Sequence, residues 1–130
     1  MKTKNPRKAR KAVKKGSNNV LRKLVSVHLS PELRKKYSTR SLGLRTGDTV
    51  KVLRGKYSKK LGKVERLNLQ TQRVYIEGIE VSKADGTKSK VGLMPSNLMI
   101  THLDLTDKWR SKIIERKGGK VELKTKEAKK

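Results

Sequence analysis

Residues 47–64 read GDTVKVLRGKYSKKLGKV. Val50 and Val52 fall on one face of an extended segment and Thr49 and Lys51 on the other, because strand side chains alternate. Gly55 opens a six-residue loop and Gly62 closes it, just before Lys63 and Val64 resume the alternation. A glycine at each junction permits positive φ or a close approach of the backbone to a partner, both of which a Cβ resists. Lys51, Arg54, Lys56, Lys59 and Lys60 decorate the loop and its approaches. Main-chain amides and cationic side chains can therefore converge on phosphate.

Working outward, more short strands are predicted on both sides. Val25, Val27 and Leu29 alternate in a short extended segment. Further strands fall near Arg73–Glu77, Ile79–Lys83, Lys88–Leu93 and Leu98–Leu103, with a hairpin turn at Asp85 and Gly86. Val74 and Ile76 face inward together, as do Val91 and Leu93. Ser30, Pro31 and Glu32 form a helix start, with a hydroxyl N-cap, a proline in the first turn and an acid behind it. That helix is expected over Pro31–Tyr37, burying Leu33 and Tyr37 and turning Arg34, Lys35 and Lys36 outward. Thr106 and Asp107 begin a second helix reaching about Arg116, stopped by Gly118 and Gly119. In it Trp109 and Ile113 lie four apart and are expected to dock the helix on the sheet.

Five or so strands within about 60 residues imply a small closed sheet, since closure removes edges that a lysine-rich chain has little means to cover. The fold class expected is mainly β, a small barrel with short flanking helices and basic N- and C-terminal extensions. The boundaries read 1–24 for a basic arm, 25–46 for a helix and connection, 47–103 for the barrel and 104–130 for a helix and basic tail. A domain of this size buries a modest fraction of its unfolded surface, so modest stability is expected in the absence of a partner.

Charge narrows the function classes. Lys and Arg number 36 against 11 acids in 130 residues, a formal net charge of +25. Residues 1–25 hold ten basic residues and no acid, whereas residues 41–100 hold twelve basic and five acidic. That is the footprint of a polyanion binder. Val13 is the one large aliphatic side chain in the first 19 residues apart from Met1, so the arm has no apolar face to dip into lipid. No run approaches a membrane span and no apolar leader segment follows the basic start. A cytosolic protein with an arm disordered in free solution is the expectation.

Other chemistries find little support. The absence of cysteine excludes disulfides and thiolate metal sites. His28 and His102 are far apart and read as ordinary strand residues. Asp48, Asp85, Asp104 and Asp107 stand near no phosphate-binding Gly-Lys motif, metal spacing or nucleophile elbow. Neither an enzyme nor a cofactor is expected. With no Phe, one Trp and three Tyr, base stacking is a poor candidate for the main binding mode. Phosphate contact and shape recognition of folded RNA fit better.

The stretch 47–64 resembles the KOW motif of SH3-like barrels in ribosomal proteins and transcription elongation factors, with Val50, Val52, Gly55, Gly62 and Val64 at the matching positions. Many members carry a mid-loop glycine where this chain has Lys59. The flanking stretches LSPELRKKYSTRSLGLRTGD (29–48) and MPSNLMITHLDL (94–105) extend the likeness. From about Val25 to Arg116 the chain resembles the L twenty-four family of large-subunit ribosomal proteins, archaeal and eukaryotic branch. The resemblance implies a structural protein assembled early on the 5′ domain of large-subunit rRNA, near the peptide exit tunnel. Its partners would be rRNA and neighbouring large-subunit proteins, in the cytoplasm on the ribosome, with no membrane and no homo-oligomer.

Candidate RNA contacts follow from charge and position. Arg54, Lys56, Lys59, Lys60 and Lys63 are expected on phosphates from the loop, with Gly55 and Gly62 allowing backbone approach or making the turn. Arg34, Lys35, Arg40 and Arg45 belong to the connection, and Lys8, Arg10, Lys11, Lys14, Lys15, Arg22 and Lys23 to the arm. Asn97, beside Ser96, is expected to fix the turn after Pro95 or to donate to RNA. The rival readings are a KOW module of the transcription elongation machinery and a general DNA-compacting protein. The first usually accompanies a larger polymerase-gripping domain, and the second needs an apolar dimer face not found here.

Overall fold

The strand alternation seen in the sequence carries directly into the sheet. A computed structural model describes residues 4–119. In chain order its elements are α1 (Pro6–Lys15), α2 (Asn18–Leu24), β1 (Ser26–Leu29), α3 (Pro31–Tyr37), β2 (Ser41–Gly43) and β3 (Thr49–Val52). There follow β4 (Leu61–Asn68), β5 (Arg73–Ser82), β6 (Lys88–Leu93), a 3-10 turn (Pro95–Asn97), β7 (Leu98–His102) and α4 (Lys108–Arg116). The strands form one sheet in the order β2-β1-β7-β3-β4-β5-β6. Every neighbouring pair in this sheet is antiparallel except β1 with β7.

Among the described residues no ladder joins β6 back to β2, so the sheet curls around its core instead of closing by hydrogen bonds. Val27 and Leu29 of β1 meet Val74, Ile76 and Ile79 of β5 in a single apolar cluster. The architecture is thus mainly β and SH3-like. Register explains the centre: Val50 pairs with Ile100 and Val52 with Leu98 across β3 and β7, and all four are buried. Burying each such side chain contributes about 1.5–3 kcal/mol. Val64 opposite Ile76 extends the same layer into β4 and β5.

Several elements differ from expectation for identifiable reasons. Two strands were expected over 73–83, but β5 is one ten-residue strand. Gly78, at φ +76°, bends it without ending it, and the β5–β6 register shifts between Tyr75 and Glu80. The arm is helical in part. Asn5 caps α1 by accepting from the Arg7 amide (3.0 Å), Pro6 follows it, and Lys14 and Lys15 lie in the last turn where the helix dipole favours cations. No residue of α1 is buried, whereas α2 sinks Leu21 to zero exposure. The structured core therefore reaches back into residues assigned to the arm.

The helix α3 matches its expected span, with the Ser30 hydroxyl accepting from the Leu33 amide (3.4 Å). In α4 the expected docking face is wrong. Trp109 is 67% exposed and Ile113 37%, while Arg110, Ser111 and Ile114 are buried. The helix ends as expected at glycines: the Gly118 amide donates to Glu115 and the Gly119 amide to Ile114, a Schellman arrangement with Gly118 at φ +85°. A Cβ on Gly119 would lie 2.7 Å from the Tyr37 carbonyl oxygen, so the helix end rests on α3. The basic tail predicted after it lies outside the described residues.

Candidate nucleic-acid interface

The β3–β4 loop is laced from within. The Lys59 amide donates to Val52 (2.8 Å), Val52 to Lys60 (2.9 Å), Ser58 to Gly55 (3.0 Å) and Lys60 to Tyr57 (3.2 Å). The Ser58 hydroxyl donates to the Leu53 carbonyl (3.1 Å), and the Leu53 amide to Asn97 (2.8 Å). Asn97 thus braces the base of the loop through its carbonyl, a contact not foreseen in the sequence, while its amide donates to the Met94 carbonyl (3.1 Å) in the turn around Pro95. Tyr57 packs against the core and lies under the Lys60 ammonium, 5.5 Å from ring centroid to nitrogen.

This brace holds Arg54, Lys56, Lys59 and Lys60 outward, all exposed, with no ion-pair partner among the described residues. Gly55 is exposed at φ +97° with open space where a Cβ would stand. Lys59 adopts φ +69°, so the loop tip makes a left-handed turn at a residue that carries a Cβ. Gly62 has a different reason to be glycine. It pairs with Val50 inside β4, and a Cβ there would lie 2.5 Å from Ile76 Cγ2 and 2.8 Å from the Glu77 carbonyl oxygen. Lys63, exposed and opposite Thr49, lies near Asp104 at the other end of the hairpin.

The remaining candidates form separate groups. Lys8, Lys11 and Lys15 line a shallow recess with Gly16 and Val20 between α1 and α2. Arg10 and Lys14 are exposed on α1, four residues apart. Lys35 and Arg40 are exposed, whereas Arg34, also exposed, donates from Nε to the Leu29 carbonyl (2.9 Å). Arg22, Lys23 and Arg45 border one groove, where Arg45 also pairs with Asp107.

Beneath that groove is a group the sequence reading missed. Asp48, fully buried, takes Arg110 on both oxygens, at 2.6 Å from Nη1 and 2.7 Å from Nη2. It also accepts the amides of Arg45 (2.9 Å) and Asp104 (3.0 Å). Arg110 further donates to the carbonyls of Asp104 and Gly43. Asp48 therefore ties β3, the connection before it and α4 together, which is a structural use of a carboxylate. The Thr106 amide and hydroxyl hold Asp104 below its ordinary pKa, with Arg110 and Lys63 adding to the effect and burial opposing it. His28 and His102 lie in β1 and β7.

The comparisons with known proteins place nearly the whole described chain in one family. A family model described as ribosomal proteins L26 eukaryotic, L24P archaeal matches residues 3–117, so the match takes in the sheet and its flanking helices. The large ribosomal subunit protein uL24 of Methanoculleus marisnigri is 44% identical over 117 residues, covering 90% of this chain and 94% of that protein. The uL24 of Methanosarcina barkeri is 41% identical over 116 residues, covering 89% and 100% respectively. A match of this extent reaches well beyond the KOW segment shared with elongation factors. The chain belongs to the family of eukaryotic L26 and archaeal L24P proteins, and is a large-subunit ribosomal protein of the archaeal type.

Proposed function

We propose that this chain is a structural constituent that binds the 5′ domain of large-subunit rRNA early in assembly, near the peptide exit tunnel and beside neighbouring large-subunit proteins. The observation that carries the reading is the β3–β4 loop. Residues 53–61 contain four cations and no acid, braced on a hydrogen-bonded frame and turned outward. Cations carried on a fixed backbone frame suit duplex RNA, whose phosphates present a regular spacing and whose bases are withdrawn into the helix. Arg40, Lys35 and the arm cations extend the contact, with each bound phosphate releasing condensed counterions.

The protein works on the cytoplasmic ribosome, as a monomer within the particle, without cofactor or catalysis. Among the described residues no helix is long and apolar enough to cross a membrane. Changing Lys59 and Lys60 together to Glu is expected to weaken binding to folded 5′-domain rRNA by at least tenfold at moderate salt and to flatten its salt dependence, with the melting temperature retained. Unchanged affinity and salt slope would move the RNA face off this loop. Co-sedimentation with the large subunit through a high-salt sucrose gradient tests the assembly itself, and release into particle-free fractions would count against a stable ribosomal role.

A further inference from the structure

Between α2, β2, the far end of β4 and α4 lies a groove of about 940 Å³. That is near the top of the roughly 300–1,000 Å³ range of small-ligand sites. Leu42, Leu67, Leu69 and Ile113 give it an apolar lining, and Arg22, Lys23, Arg66 and Lys117 stand around it, all four exposed. The acids in the groove are engaged: Glu65 with Lys90, Asp107 with Arg45, and Asp104 with the Thr106 amide. The side chains of Arg22, Lys23, Arg66 and Lys117 have no hydrogen-bond or ion-pair partner among the described residues. Trp109 stands one turn before Ile113 on the same side of α4, 67% exposed, with the Lys112 ammonium 5.3 Å from its ring centroid.

We propose that this groove takes an unstacked nucleotide of a single-stranded RNA segment, its base against Trp109 and Ile113 and its flanking phosphates on Arg22, Lys23, Arg66 and Lys117. The proposal rests on the RNA reading above and adds a second mode of contact to it. Duplex RNA keeps its bases stacked inside and offers phosphates to a convex surface, so it has no use for an apolar hollow beside an exposed indole. A splayed nucleotide uses both, since every base has a face to stack and each phosphate needs a cation. An acidic peptide would satisfy the cations but gains little from the indole face. The chain's own residues 120–130 carry five lysines and two glutamates, and would bring like charge to the rim.

Trp109 is the single tryptophan of the chain and stands one turn from the lining residue Ile113, so its fluorescence reports on the α4 edge of the groove. The full chain is titrated with short oligouridylate, with a blunt RNA duplex and with polyglutamate, following both Trp109 emission and the anisotropy of labelled probe. Oligouridylate is expected to quench Trp109, and Trp109→Ala to weaken its binding about tenfold while leaving duplex binding unchanged. Arg66→Gln with Lys117→Gln is expected to remove the quench at concentrations that saturate the wild type. If both RNAs bind without quenching and Trp109→Ala changes neither, the groove proposal is overturned while the RNA reading stands. Quenching by polyglutamate and not by oligouridylate assigns the groove to an acidic protein and overturns the proposal. Failure of the wild-type chain to bind any RNA overturns both.

Discussion

Asp48 and Arg110 show how much of a small domain can hang on one buried pair. Their side chains are 0% and 3% exposed, and four donors converge on the carboxylate. Removing one partner strands the other in a dry site, so Asp48→Ala should cost about 3–5 kcal/mol in urea unfolding. Adding Arg110→Met to that variant should recover part of the loss, because the stranded guanidinium goes with it. Strictly additive losses would show that the two do not act as a pair. Lys59 presents the opposite case, a surface residue whose backbone is strained for its place. At φ +69° an L side chain is disfavoured, so Lys59→Gly should raise stability by about 1 kcal/mol. The same change removes a cation, and the slope of log K against log salt for rRNA should fall by about 1. A stabilised variant with an unchanged slope would remove Lys59 from the phosphate face. The outward placement of the loop cations was legible because they lie close together in the chain. Gly62 was half legible: its special status could be read, but the contact with Ile76 and Glu77 that requires it comes from β5.

Elements were legible where local signals and burial agreed. TVKV and LMITH alternate and lie side by side at the centre, and Ser30-Pro31-Glu32 starts α3 as its chemistry dictates. The three-residue strand β2 is too short to alternate, and it exists because β1 needs a partner on its free edge. The phase of α4 was unreadable for a physical reason. Trp109 and Ile113 mark an apolar face by periodicity, yet Asp48 requires the Arg110 guanidinium, and satisfying that charge turns Ser111 and Ile114 inward instead. The groove beside α4 was invisible because α2, β2, β4 and α4 are far apart in sequence. The entrance to α4 also carries a pH dependence. Asp104 is held below its ordinary value of 3.8, first by the Thr106 amide, so its contribution is complete above that value and is lost as pH falls through the lowered one. Melting temperatures of the wild type and Asp104→Asn should therefore differ by a constant amount near neutrality and converge below about pH 4. A gap that persists undiminished at lower pH would mean that the ionised carboxylate is not what the turn uses.

At the scale of the whole molecule, charge and stability are carried by different parts of the chain. The core cluster begins at Val25 and ends at Ile114, with Leu21 buried just ahead of it. The first 16 residues hold eight basic residues and no acid, and α1 buries nothing. Binding energy can therefore be removed from that end without touching the fold, because the charges that do build the core, Asp48 and Arg110, lie elsewhere. Deleting residues 1–16 should leave the urea midpoint unchanged. The same deletion should lower the salt slope for folded rRNA by up to about 7, with a smaller fall if only some of the eight cations reach phosphate. Extending the deletion through residue 24 removes Leu21 as well, and should cost about 2–5 kcal/mol of stability in addition. The two deletions together locate the border between anchor and domain. If the shorter one already destabilises the sheet, α1 packs on the core and the arm is part of the fold. If it changes neither midpoint nor slope, the arm cations do not meet phosphate and binding rests on the remaining chain, which carries +17 of the net charge of +25.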